Sequence, residues 1–154
     1  MKVNLISSDD YNLPKSLLES LEQVFILVSN SEGLEDANIN LSLISSKEMQ
    51  SLNKQYRGLD KDTNVLSFEN QDISREHTKN IGDIAICYPY VVDEAKKENK
   101  ELDNHITHMF IHGTLHILGY DHENESEANN MELKEIELLS KFNIINPYKI
   151  WMTK

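Results

Sequence analysis

The run His112-Gly113-Thr114-Leu115-His116-Ile117-Leu118-Gly119-Tyr120-Asp121-His122 places three imidazoles at i, i+4 and i+10. On a helix the first two leave the same face one turn apart and can pinch a single ion. His108 extends the row to i, i+4, i+8 with His112 and His116, but at about 1.5 Å rise per residue the ends of that row lie roughly 12 Å apart along the axis. With metal–nitrogen bonds of about 2.0–2.1 Å, one ion cannot take all three from a straight helix. The third ligand has to come from beyond the helix. Gly119 supplies the means, because glycine accepts φ > 0, ends a helix and turns the chain back. The expected metal ligands are therefore His112, His116 and His122.

Three neutral imidazoles leave a coordination position open, which is the catalytic rather than the structural arrangement. All-nitrogen ligation favours one zinc ion per chain, with nickel, copper or cobalt admitted. Such a site lowers the pKa of bound water toward about 7 and polarises a phosphoryl or carbonyl oxygen. The histidine spacing is that of the zinc endopeptidase signature H-E-x-x-H-x-x-G-x-x-H, with Gly113 where the glutamate base would stand. Gly113 cannot act as a base, so the base comes from elsewhere or the metal-bound hydroxide acts alone. This weighs against a peptidase.

The chain has 154 residues, long enough for one domain (residues 1–154) with a core of its own. Its single cysteine, Cys87, excludes an internal disulfide and stands in an apolar setting that reads as a buried residue in a reducing compartment. No apolar run approaches the roughly 18 residues of a membrane span, and Met1 to Asp10 lacks a signal-peptide pattern, so a cytoplasmic protein without membrane contact is expected. Net charge is −11, with 15 basic against 26 acidic residues, which counts against a general nucleic-acid binder. A small basic patch beside a metal stays compatible with it. The acidic clusters at 94–101 and 123–137 read as solvated helix faces.

Val3 to Ile6 reads as a first strand, and Pro14 as the start of an amphipathic helix through Val28. Ile39, Leu41 and Leu43 alternate with polar residues in the period of a half-buried strand. Ser45-Ser46-Lys47-Glu48 is a capping box opening a second helix, with Met49, Leu52 and Tyr56 inward, ending near Arg57-Gly58. A third strand is expected at Val65–Phe68, a mobile polar loop over 69–80, and a fourth strand at Ile81–Cys87. Helices follow from about Pro89, from Leu102 to Leu118, and from Ser126 to Phe142 with Met131, Ile136, Leu139 and Phe142 inward. The elements mix without regular βαβ alternation. The fold class is α+β: a small mixed sheet of about four strands with packed helices, the metal-binding helix central in a zincin-like arrangement.

Asp121 either orients a metal-bound histidine or caps the turn, and His108 is either a support for a ligand or a core residue. Asp83 and Ser67 read as strand-end structure, His77 and His105 as surface residues, and Met131 as core.

The stretch from His112 to His122, with Tyr56-Arg57-Gly58, Thr63-Asn64-Val65-Leu66-Ser67-Phe68 and Gly82-Asp83-Ile84, resembles the signature of the YbeY family of rRNA maturation factors over residues 40 to 148. Asn64 stands where the family usually has Asp, and Glu69 where it has Pro. The resemblance implies a single-strand-specific, metal-dependent endoribonuclease acting on the 3′ end of small-subunit rRNA and in ribosome quality control. It implies single-stranded rRNA, the small subunit and its proteins as partners, and no DNA. It also implies that Arg57 matters for cleavage, where a guanidinium can hold a phosphate and neutralise growing charge. By itself Arg57 reads as a surface residue at a helix C-terminus, with Lys54 and Lys61 able to supply a basic patch. Arg57 and His112 are the catalytic residues of this reading. The other classes are a metallopeptidase-like hydrolase and a non-enzymatic assembly factor with a structural metal.

Overall fold

A computed structural model describes residues 1–6, 10–71 and 79–148. Among these the chain order is β1 (Lys2–Ile6), α1 (Lys15–Ser31), β2 (Asn38–Ile44), α2 (Ser46–Arg57), β3 (Val65–Glu69), β4 (Asn80–Cys87), α3 (Tyr88–Lys97), α4 (Leu102–Ile117) and α5 (Glu125–Ser140). The α+β expectation holds. The four strands form one mixed sheet in the order β1-β2-β4-β3. β1, β2 and β4 run parallel, and β3 joins the edge antiparallel to β4, pairing Ser67 with Ile84 and Glu69 with Gly82.

The period-two pattern decides which face is covered. Ile39, Leu41 and Leu43 turn one way and are buried with Ile84 and Ile86 against α1 and α4. The opposite face takes α2 over Ile44, Leu66, Ala85 and Cys87. Cys87 is buried as expected, and burial pushes its thiol pKa up. Elsewhere on that face Asn4, Asn38, Asn40 and Asp83 hydrogen-bond across the strands, so Asp83 is a structural residue at the sheet surface.

Helix α4 is buried nearly all round from His105 to Ile117, packed on β3, β4, α1, α3 and α5. The serine half of the capping box forms: the Glu48 N–H donates to Ser45 Oγ at 3.1 Å, and Ser45 Oγ donates to Glu48 Oε1 at 3.2 Å. Not every inward assignment holds. Tyr56 is 59% exposed, its ring 5.0 Å from that of Phe68, while Asn53, one turn after Met49, is buried. In α5, Ile136 is only partly buried, whereas Met131 and Leu139 are in the core; Phe142, just past the helix end, packs partly buried against that core. Glu69 and Asn80 belong to strands, so the polar connection is shorter at both ends than expected; residues 72–78, including His77, lie outside the described residues.

Candidate metal centre

The end of α4 builds the site. Gly119 has φ +103°, its N–H donates to the His116 carbonyl at 3.1 Å, and the Tyr120 N–H reaches back to the Leu115 carbonyl at 3.0 Å. This pair of bonds is the Schellman ending, which needs a left-handed residue after the last turn. The Tyr120 hydroxyl then donates to Glu32 at the end of α1 at 2.8 Å, which ties the bend to the body of the fold. The Asp121 carboxylate accepts from the His122 N–H at 2.7 Å. This bond ties Asp121 into the turn, and its charge also acts on His116.

The structure brings His112, His116 and His122 together, with one ligand atom from each lying within 4.8 Å of the others. Ring centroids are 4.7 Å apart for His112–His116, 4.9 Å for His116–His122 and 5.9 Å for His112–His122. The Nε2 atoms of His112 and His116 are 3.2 Å apart. Two nitrogens on one tetrahedral ion at about 2.0–2.1 Å would be separated by roughly 3.3 Å, so this donor pair fits. His112 and His116 are half-buried and His122 is exposed, which leaves one side of the cluster open. Burial first, then the neighbouring His112 and His122, push the His116 pKa down, favouring its neutral, ligating form.

Gly113 faces β4 at close range. A Cβ there would stand 3.3 Å from three side-chain carbons of Ile84. The position that carries a glutamate base in the peptidase signature is thus a tight helix–strand contact, where a side chain would press on Ile84.

Behind the triad lies the residue that sequence reasoning missed. Glu135 of α5, fully buried, has Oε1 3.0 Å from His112 Nδ1 and 2.9 Å from His108 Nε2, and its Oε2 accepts from the Tyr148 hydroxyl at 3.0 Å. Burial pushes this carboxyl's pKa up, but hydrogen bonds from His108 and His112 outweigh it and hold the pKa at about 2. Burial, with the Glu135 charge beside it, pushes the Tyr148 phenol up. The reading of 123–137 as a solvated face fails at this position: Glu135 shares the inward stripe of Met131, Leu138 and Leu139. That spacing is the signal that could have found it.

His105 also departs from expectation. It is 3% exposed, with Nε2 2.9 Å from Glu94 Oε1, so neither His105 nor Glu94 is a simple surface group. Asn64 Nδ2 donates to the same carboxylate at 3.3 Å, and the Val65 N–H donates to Asn64 Oδ1 at 2.7 Å. Hydrogen bonds from His105 and Asn64 overcome the burial that would raise the Glu94 pKa, and leave it lowered. His108 is buried, as its core reading expects, and its Nε2 is directed at Glu135.

Arg57 ends α2, where Gly58 takes the left-handed cap at φ +72°. It lines a cleft of about 480 Å³ together with Asn64, Ser67 and all three triad histidines. Buried Asn53 donates to the Lys61 carbonyl at 2.9 Å and so fixes the turn that follows Arg57. The expected basic patch is thinner than drawn: Lys54 lies 4.0 Å from Asp60, and neither Lys54 nor Lys61 lines the cleft, whereas Glu69 and Asp121 do.

The family model described as Endoribonuclease YbeY matches residues 5–143. The chain is 43% identical over 152 residues to an Endoribonuclease YbeY of Francisella philomiragia, covering 96% of this chain and 95% of that protein. It is 41% identical over 157 residues to one of Francisella tularensis, covering 96% and 89%. Its fold is similar to the solution structure of TM1509 from Thermotoga maritima, with TM-score 0.60 and 26% identity over 92% of this chain and 91% of that one.

Proposed function

The chain belongs to the Endoribonuclease YbeY family, and from that premise we propose that it is a single-domain, zinc-dependent endoribonuclease that trims single-stranded rRNA at the 3′ end of the small-subunit RNA. The observation that carries the reading is the convergence of His112, His116 and His122 in one cleft with Arg57. A divalent ion held there supplies Lewis-acid charge at a phosphoryl oxygen and lowers the pKa of water. His112 and His116 offer it two half-buried nitrogens, and His122 the third from the bend. Arg57 binds the scissile phosphate through its fork of N–H donors and stabilises the charge that builds there.

The net charge of −11 gives the chain little general attraction for RNA. The substrate is therefore presented by the small ribosomal subunit and its proteins, in the cytoplasm. Among the described residues no helix is long and apolar enough to cross a membrane. The packing of Gly113 on Ile84 weighs against a peptidase.

Metal content and cleavage of a single-stranded RNA, measured together in the wild type, His116→Ala and Arg57→Glu, test the reading. His116→Ala is expected to lose metal and cleavage together. Arg57→Glu is expected to keep the metal and cleave at least about 100-fold more slowly. Folded variants that cleave like the wild type would overturn it.

A further inference from the structure

Helix α5 places a carboxylate where its own pattern calls for an apolar side chain. Met131, Glu135, Leu138 and Leu139 form its inward stripe. A bare carboxylate in that position costs several kcal/mol, and only donors that satisfy its oxygens make it tolerable. Here three groups do so: His108 Nε2 and His112 Nδ1 at Oε1, and the Tyr148 hydroxyl at Oε2.

An ionised carboxylate only accepts hydrogen bonds. Both ring nitrogens that meet Oε1 therefore point a hydrogen at it. His108 turns Nε2 to Oε1, and its buried Nδ1 has no hydrogen-bond partner among the described residues. His112 turns Nδ1 to Oε1, which points its opposite nitrogen, Nε2, at the cluster, 3.2 Å from His116 Nε2; a neutral, metal-binding ring held this way has its hydrogen on Nδ1 and its lone pair on Nε2. We infer that Glu135 is a positioning residue for the metal centre: it holds His112 in the one tautomer and ring orientation that turns Nε2 toward the other two imidazoles.

The inference rests on the proposed reading that the triad holds a metal. His112 is half-buried, with room to turn toward the open cleft; without Glu135 its ring keeps neither orientation nor tautomer. A partner of this kind contributes about 10- to 100-fold in metal affinity when it orients a ligand through the second ring nitrogen. His116 has a restraint of its own, a backbone hydrogen bond at Tyr120 with the Asp121 charge nearby, so the part that falls to Glu135 is the direction of His112.

Zinc affinity by competition with a chromophoric chelator, and the visible absorption of the cobalt-loaded protein, would be measured in the wild type, Glu135→Gln, Glu94→Gln and His116→Ala. Glu135→Gln is expected to bind zinc 10- to 100-fold more weakly and to shift the cobalt bands, while Glu94→Gln stays within about twofold of the wild type. Wild-type affinity and spectrum in folded Glu135→Gln would overturn the role of Glu135. A wild type that binds no zinc, or a folded His116→Ala that binds it equally well, would instead overturn the metal reading itself. Should Glu135→Gln not fold, the histidine ring nitrogens of the metal-free wild type decide by NMR: His112 protonated at Nδ1 supports the assignment, and protonation at Nε2 alone defeats it.

Discussion

Helix α4 sets three imidazoles against two carboxylates from neighbouring helices, Glu94 near its start and Glu135 along its middle. His105 meets Glu94 of α3, and one turn to two turns later His108 and His112 meet Glu135 of α5. The chemistry is the same but the settings differ. Glu94 keeps 24% of its side chain exposed and takes Asn64 as its other donor; Glu135 is wholly buried and its third donor is Tyr148. Only Glu135 touches a triad residue. An identical pair can thus either staple a helix or aim a ligand, and position along α4 decides which.

Truncation should separate the two most widely. Glu135→Ala leaves a void and two imidazoles without their acceptor, and breaking a buried pair of this kind costs about 3–5 kcal/mol. Glu94→Ala removes a partly hydrated group, and about 1–2 kcal/mol is expected from the lost hydrogen bonds. Urea unfolding at neutral pH measures both, and equal losses would erase the distinction.

Acid should reveal the same asymmetry. A carboxyl whose pKa is lower folded than unfolded contributes stability above its unfolded value and loses it as pH falls through the folded one. For Glu135 that window runs from about 4.5 down to about 2. The unfolding midpoint of the wild type is expected to fall steadily across that window. Glu135→Gln, already less stable, should show a flatter profile there, while Glu94→Gln should keep most of the wild-type slope.

The contrast also explains what the chain disclosed before folding. The histidine spacing and Gly119 are local features, so helix geometry and glycine's freedom at φ > 0 suffice to bring three rings near one point. Period-two alternation at Ile39–Leu43 and the Ser45 cap on the Glu48 N–H are local as well, and both form. Glu135 is 23 residues beyond His112, inside a run rich in acids, and its role depends on how α5 packs on α4. His105 was misplaced for the same reason: its partner Glu94 belongs to another helix. Charge runs are read as solvent-facing by composition, and one member turned inward alters neither the composition nor the net charge. Tyr56 and Asn53 exchange places because α2 rests on a small patch of sheet near its first turns, so its last turn stays open.

Donors at the far oxygen offer a milder test. Tyr148→Phe removes the hydroxyl from Oε2 and leaves the His112 bond at Oε1 untouched. A hydrogen bond to a charged group contributes about 1.5–3 kcal/mol, so the variant should unfold at lower urea while binding zinc within a few-fold of the wild type. A large loss of zinc affinity would mean that the carboxylate is held as a unit rather than oxygen by oxygen.

The smallest effect is expected at Asn64. Its amide donates to Glu94 at 3.3 Å, a long bond, and its own oxygen is occupied by the Val65 N–H at 2.7 Å. Asn64→Asp would keep the shape and the bond from Val65 but set a second carboxylate against Glu94. At neutral pH two like charges at that distance disfavour each other's ionised forms, and partial exposure of Glu94 screens the repulsion to about 1 kcal/mol. The sign reverses the wild-type behaviour: the Glu94 pKa, now lowered, would rise, so the destabilisation should fade as pH drops toward 4.5 and one carboxyl takes a proton to donate to the other. Urea midpoints of the two proteins converging between pH 7 and pH 4.5 would establish that Asn64 acts as a donor to Glu94. A constant gap across that range would show that the amide matters for something other than its charge.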